Sequence, residues 1–125
     1  MNPIILVMSG GAIGAGLRYG LSRTLPFAGD GWPWATFTAN VLGGLAMGVL
    51  AAWILRGDNS AEPLRLFVGV GVLGGFTTFS AFSLEMAHMV ERGQVGLAAG
   101  YALVSVMLAL GALFVGMIAA KALWA

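Results

Sequence analysis

The sequence predicts an all-α integral membrane protein, one domain over residues 1–125, with four spanning helices. Three observations predict it. Apolar types make up 59 % of the 125 residues and charged types only 9 %, whereas a soluble domain carries about 25 % charged residues. The apolar residues gather into four runs, and a spanning helix needs about 20 such residues. Those runs are continuous, which argues against the alternating segments of about 10 residues in a membrane β-barrel. Helices remain, because an open sheet edge cannot face lipid.

The same arithmetic excludes several function classes. A net charge of +1, from 6 Lys+Arg against 5 Asp+Glu, argues against a polybasic nucleic-acid binder and an acidic disordered tail. The chain has no cysteine, hence neither a disulfide framework nor thiolate chemistry. One histidine and five scattered carboxylates leave little for a transition-metal site. No nucleophile–base pair or paired carboxylates stand out, so the chain reads as a non-enzyme.

The first span covers about residues 4–25 and is stopped by Pro26. Met1-Asn2-Pro3 places no Lys or Arg before it. The run also outlasts the apolar core of a signal peptide, about 7–15 residues, so it reads as a span rather than a cleaved leader. Arg18 lies seven residues before its end, roughly 10 Å at helical rise. It either snorkels to the interface or lends positive potential to a vestibule that attracts an anion. A turn-rich loop, 27–33, leads to the second span, about 34–55, where Thr36 and Asn40 share a face at i, i+4. Asn40 offers two amide donors, either as glue between helices or as ligand contacts. The loop at 56–63 concentrates charge and reads as solvated.

The third span, about 64–90, is the unusual one. Gly74-Gly75 followed by Thr77-Thr78 is a poor helix centre, and a break is expected there. Irregular backbone at membrane depth persists only when buried in protein or lining a cavity. Its freed carbonyls suit a hard cation such as Na⁺, as at the discontinuous helices of transporters. Phe76, Phe79 and Phe82 follow at intervals of three. Spacing alone makes this a packing stripe. Ser80, Ser83 and Glu85 make its face polar, and the positive ring edges could then contact an anion. Glu85 is placed near the mouth of such a path or in solvent at a helix end. His88 is read as an inert interfacial histidine. The fourth span, about 95–124, carries Tyr101 and Ser105 at i, i+4, which extend the polar track or act as helix glue.

Five G-x-x-x-G pairs, Gly10–Gly14, Gly16–Gly20, Gly44–Gly48, Gly71–Gly75 and Gly96–Gly100, suit close helix packing in lipid. Trp32, Trp34, Trp53 and Trp124 fall near span ends, as in an interfacial aromatic belt. The side holding the termini and the second loop carries Arg56, Arg65 and Lys121. The other side carries Arg23 and Arg92, with Arg18 if it snorkels. The positive-inside bias is therefore close to zero, and we expect insertion in both orientations and an antiparallel dimer of identical chains.

Three segments resemble the CrcB/Fluc family of fluoride channels. They are Gly10-Gly11-x-x-Gly14-Ala15-x-x-Arg18-Tyr19, Thr36-x-x-x-Asn40 and Gly74-Gly75-Phe-Thr-Thr-Phe-Ser-Ala-Phe-Ser-x-Glu85. Length, span count and loop lengths agree, so the resemblance covers essentially the whole chain. It implies a dual-topology antiparallel homodimer in the bacterial plasma (inner) membrane, with two fluoride pores and membrane lipid and fluoride as its other partners. It implies that Phe79 and Phe82 form an aromatic box and that Asn40 donates to fluoride. Ser80, Ser83, Glu85 and Tyr101 would belong to the polar pathway, with Ser105 a weaker addition, and Arg18 to the vestibule. A structural Na⁺ on the dimer axis would be held by the backbone carbonyls of Gly74 and Thr77 from each chain. The chain departs from the family pattern at Ala35, Phe37 and Ala81, where Gly, Leu and Thr are usual.

Two other readings compete with passive fluoride export. A small proton-coupled drug exporter shares the length and span count, but its chemistry needs a carboxylate in the first span, which here holds Arg18 and no acid. A structural subunit of a larger membrane complex would not require so polar a third span.

Overall fold

The computed structural model of the chain describes residues 2–25, 31–54 and 61–124, with residue 124 described by its backbone alone. Most of the two expected loops, with Asp30, Arg56 and Asp58, lies outside the described residues. Four helical stretches are long and apolar enough to cross a membrane: Pro3–Thr24, Trp34–Ile54, Glu62–Glu91 and Val95–Leu123. The molecule is a multi-pass membrane protein.

Local chemistry explains where the elements start and stop. Helix α1, Pro3–Thr24, opens with Asn2, whose Oδ1 accepts the Ile4 amide at 3.0 Å. Pro3 at the first helical position has no amide to satisfy. The helix ends at Leu25, which is extended because the following proline disfavours the helical region. Helix α2 is Trp34–Ile54. The third span begins with the short α3, Glu62–Leu64. It widens into a π-helix over Arg65–Leu73 and returns to helical turns in α4, Gly74–Phe76. Thr77 and Thr78 are extended, with φ/ψ of −85°/158° and −152°/127°. Helix α5, Phe79–Glu91, then runs to a turn at Gly93. That residue has φ 78°, a left-handed conformation that glycine adopts without penalty. Helix α6 is Val95–Trp124.

Two helix pairs form the body. In one, α1 lies along the π-helix and α4; in the other, α2 lies along α6. Lipid is as apolar as leucine, so helices in a membrane associate through close backbone contact rather than through hydrophobic burial. Glycine makes the contact. A Cβ on Gly10 or Gly14 would run into the carbonyl oxygens of Phe67 or Val72, and one on Gly71 would stand 2.9 Å from the Cα of Gly10. In the second pair, Gly44 and Gly48 face the backbone of Ala109 and Leu113, and Gly116 faces Leu45. Three of the five glycine pairs thus pack within the chain. Among the described residues, Gly16, Gly20, Gly96 and Gly100 have nothing within 4 Å of an added Cβ, so the spacing of these pairs serves no contact there.

The side-chain core is small and sits where α5 meets α6. Phe82, Met89, Ala98 and Tyr101 are buried together, with Trp32 and Phe37 packed against them. Leu103, Met107, Val115 and Ile118 of α6 are exposed, an outward apolar face suited to lipid. Trp34 and Trp53 are exposed near helix ends. Trp32, expected in the same belt, is half-buried instead, because its ring stacks edge-on against Tyr101 at 5.1 Å.

Candidate functional site

The site is organised around the two extended threonines. Each backbone group in a span must find a partner inside the protein, and here side chains supply several. The Asn40 amide embraces the Thr78 peptide unit. Its Oδ1 accepts the Thr78 amide at 2.9 Å and its Nδ2 donates to the Thr78 carbonyl at 3.1 Å. The Thr78 hydroxyl caps α5 by accepting the Ala81 amide at 3.1 Å, as N-cap threonines do. Both the amide and the hydroxyl of Thr77 donate to the Leu73 carbonyl, at 3.0 and 2.9 Å. Arg18 reaches over from α1, its Nε donating to the Gly75 carbonyl at 3.3 Å. Helix α2 comes close enough to receive Thr77 because Gly43 has no Cβ; an added one would collide with the Thr77 methyl.

Beside this pair lies a cavity of about 250 Å³. Asn40 of α2, Thr77, Thr78, Phe79 and Phe82 of the third span, and Ser105, Val106 and Ala109 of α6 line it. The Phe79 and Phe82 rings are 5.7 Å apart at 45°. Phe82 is buried and touches Tyr101, with centroids 5.0 Å apart. Phe79 is 78 % exposed, so a single protomer covers only one of the two rings. The Ser105 hydroxyl is buried without a hydrogen-bond partner among the described residues.

A second polar cluster is made by Glu85. Thr36 Oγ1 donates to one carboxylate oxygen at 2.8 Å and the Tyr101 hydroxyl to the other at 2.9 Å. Thr36 is 8 % and Tyr101 0 % exposed. Helices α2, α5 and α6 are therefore tied at one carboxylate. Phe82 and Tyr101 link this cluster to the cavity.

The structure gathers Asn40, Thr77, Phe79, Phe82 and Ser105 around the cavity, and Glu85 with Tyr101 beside it. Ser80 is exposed, its hydroxyl 3.3 Å from that of Thr78, and Ser83 is exposed outside the cavity lining. Arg18 is half-buried against the Gly75 carbonyl and Gly74 is exposed beside it in sequence. His88 is exposed on α5. Sequence reasoning missed the bond from Thr36 to Glu85, the clasp of Asn40 on Thr78 and the packing of Trp32 on Tyr101. The only signal for any of them was the polarity of the residues themselves, because each pair is separated by 38 or more residues.

Residues 5–117 match the model of the family described as CrcB-like protein, Camphor Resistance (CrcB). The chain belongs to the CrcB family. Similar members carry the name fluoride-specific ion channel FluC. The protein from Caulobacter vibrioides is 49 % identical over the full length of both chains, and that from Hyphomonas neptunium 50 %, again over both full lengths. The protein from Novosphingobium aromaticivorans is 52 % identical over 94 % of each chain. The site residues, from Arg18 to Ala109, fall within the CrcB match.

Proposed function

We propose that the chain is a fluoride-selective channel of the bacterial inner membrane, through which fluoride leaves the cytoplasm without an energy source. Relatives about half identical over their whole length carry that name. The observation that carries the reading is the cavity, where an amide, a free hydroxyl and two phenyl rings converge with no charged side chain among the lining residues.

Fluoride is small and strongly hydrated, so a path must replace its water with donors. Asn40 has two Nδ2 hydrogens; one goes to the Thr78 carbonyl and the other is left for an anion. The Ser105 hydroxyl has no partner among the described residues and can donate as well. Phenyl edges carry partial positive charge and contact an anion without the cost of stripping a fixed cation. Past Phe82, the hydroxyls of Thr36 and Tyr101 already point at Glu85. An anion arriving there competes with the carboxylate for those two protons, and a hydroxyl that turns from one to the other passes fluoride along. An inside-negative potential drives the anion out with about 2.3 kcal/mol per charge per 100 mV.

The functional unit in this reading is an antiparallel, dual-topology homodimer with two pores, its third span broken at Thr77–Thr78. The exposure of Phe79 supports it, since a second protomer would complete the aromatic box. A structural Na⁺ between the protomers fits the chemistry of the donor set. The carbonyls of Gly74 and Thr77 are hard oxygen donors of the kind such a cation takes. Both would normally accept from the amide four residues on, and both of those amides bond elsewhere: Thr78 to Asn40 and Ala81 to the Thr78 hydroxyl. The cation would supply positive charge and tie the protomers.

The test is reconstitution into liposomes with a fluoride electrode. Rapid fluoride efflux on adding valinomycin, with no chloride efflux, supports the channel. Vesicles that hold fluoride while exchanging a cationic drug for protons would refute it.

A further inference from the structure

We propose that Asn40 is a positioning residue that keeps the oxygen donors next to Thr77–Thr78 out of the helical ladder. The inference rests on the cation site proposed above and concerns how this chain holds it open. Every backbone donor and acceptor in a span has to be accounted for. In a regular helix the Thr78 amide would bond the Gly74 carbonyl, four residues back. Here it donates to Asn40 Oδ1 at 2.9 Å instead, and Asn40 Nδ2 closes the clasp on the Thr78 carbonyl at 3.1 Å. One step along, the Ala81 amide would bond the Thr77 carbonyl, and it donates to the Thr78 hydroxyl at 3.1 Å. Two side chains thus divert two amides, and the two carbonyls released are those of Gly74 and Thr77.

The third amide in the series behaves differently. Thr77 keeps its regular bond to the Leu73 carbonyl at 3.0 Å. Leu73 O is satisfied, and Gly75 O accepts from Arg18. The Gly74 side of the release depends on Asn40. Asn40 also lines the cavity, so the same side chain serves the anion path with one Nδ2 hydrogen and the cation donors with its oxygen. In Asn40→Ala, the Thr78 amide loses its acceptor, and the acceptor a regular helix would give it is the Gly74 carbonyl.

The experiment is thermal unfolding of the full-length detergent-solubilised protein, titrated with NaCl at constant ionic strength against N-methylglucamine chloride. Binding to the folded state raises the midpoint with ligand concentration, so the Na⁺ concentration giving half the rise reports affinity. Asn40→Asp keeps an acceptor for the Thr78 amide and should respond at the wild-type Na⁺ concentration or below. Asn40→Ala should need at least tenfold more Na⁺. Thr78→Val, which returns the Ala81 amide to Thr77, should also need more, while Thr78→Ser should match the wild type. Equal Na⁺ midpoints in the wild type and Asn40→Ala would overturn the proposal. Should Asn40→Ala not fold, equal midpoints in Thr78→Val and Thr78→Ser would overturn it. A wild type that ignores Na⁺ altogether would instead sink the cation site itself.

Discussion

Phe82 does two jobs with one ring. It is 7 % exposed, lines the cavity and touches both Phe79 and Tyr101. Isoleucine would fill much of the same space without presenting a polarised ring edge. Phe79→Ile and Phe82→Ile should therefore each cut fluoride flux at least tenfold while the dimer survives on size exclusion. Wild-type flux in both would remove the rings from the path. Glu85 shows what the sequence could and could not reveal at this scale. Its residue type and place near a helix end marked it as a candidate. Its two partners come from α2 and α6, and one-dimensional spacing resolves only neighbours on the same helix. Asn40 likewise read as a donor to a ligand or to another helix. Its clasp on Thr78 spans 38 residues, beyond any helical period.

The elements themselves were largely legible, because long apolar runs leave few alternatives in a membrane. The four expected spans and the observed stretches agree to within two residues at every end. The π-helix at Arg65–Leu73 was not legible. Nothing in an apolar run distinguishes one helical winding from another. Glycine spacing marked five candidate contacts but could not say which had a partner. The geometry divides them. Gly14→Ala would push a methyl into the Val72 carbonyl and the Phe76 amide. Backbone cannot yield as a side chain tip does, so we expect a loss of about 1–3 kcal/mol and a lower thermal midpoint in detergent. Gly20→Ala has nothing within 4 Å and should stay within about 0.5 kcal/mol of the wild type. Equal midpoints for the two variants would contradict the close crossing of α1 with the third span.

At the scale of the whole molecule, the scarcity of charge is the organising fact. Six cations in 125 residues divide almost evenly between the two faces, and without a positive-inside bias the chain should insert both ways. Cysteines added near Met1 and Ala125 should each be labelled from both sides of the membrane by an impermeant reagent; labelling from one side only would refute dual insertion. Such insertion fits a molecule whose cavity is bordered by an exposed phenyl ring. The claim on which all of this depends is selective passage of fluoride. The most direct test is electrode-recorded efflux from proteoliposomes loaded with equal fluoride and chloride. The account predicts fluoride release within seconds of adding valinomycin and chloride retained throughout. Fluoride retained alongside chloride, or both anions released together, would contradict it.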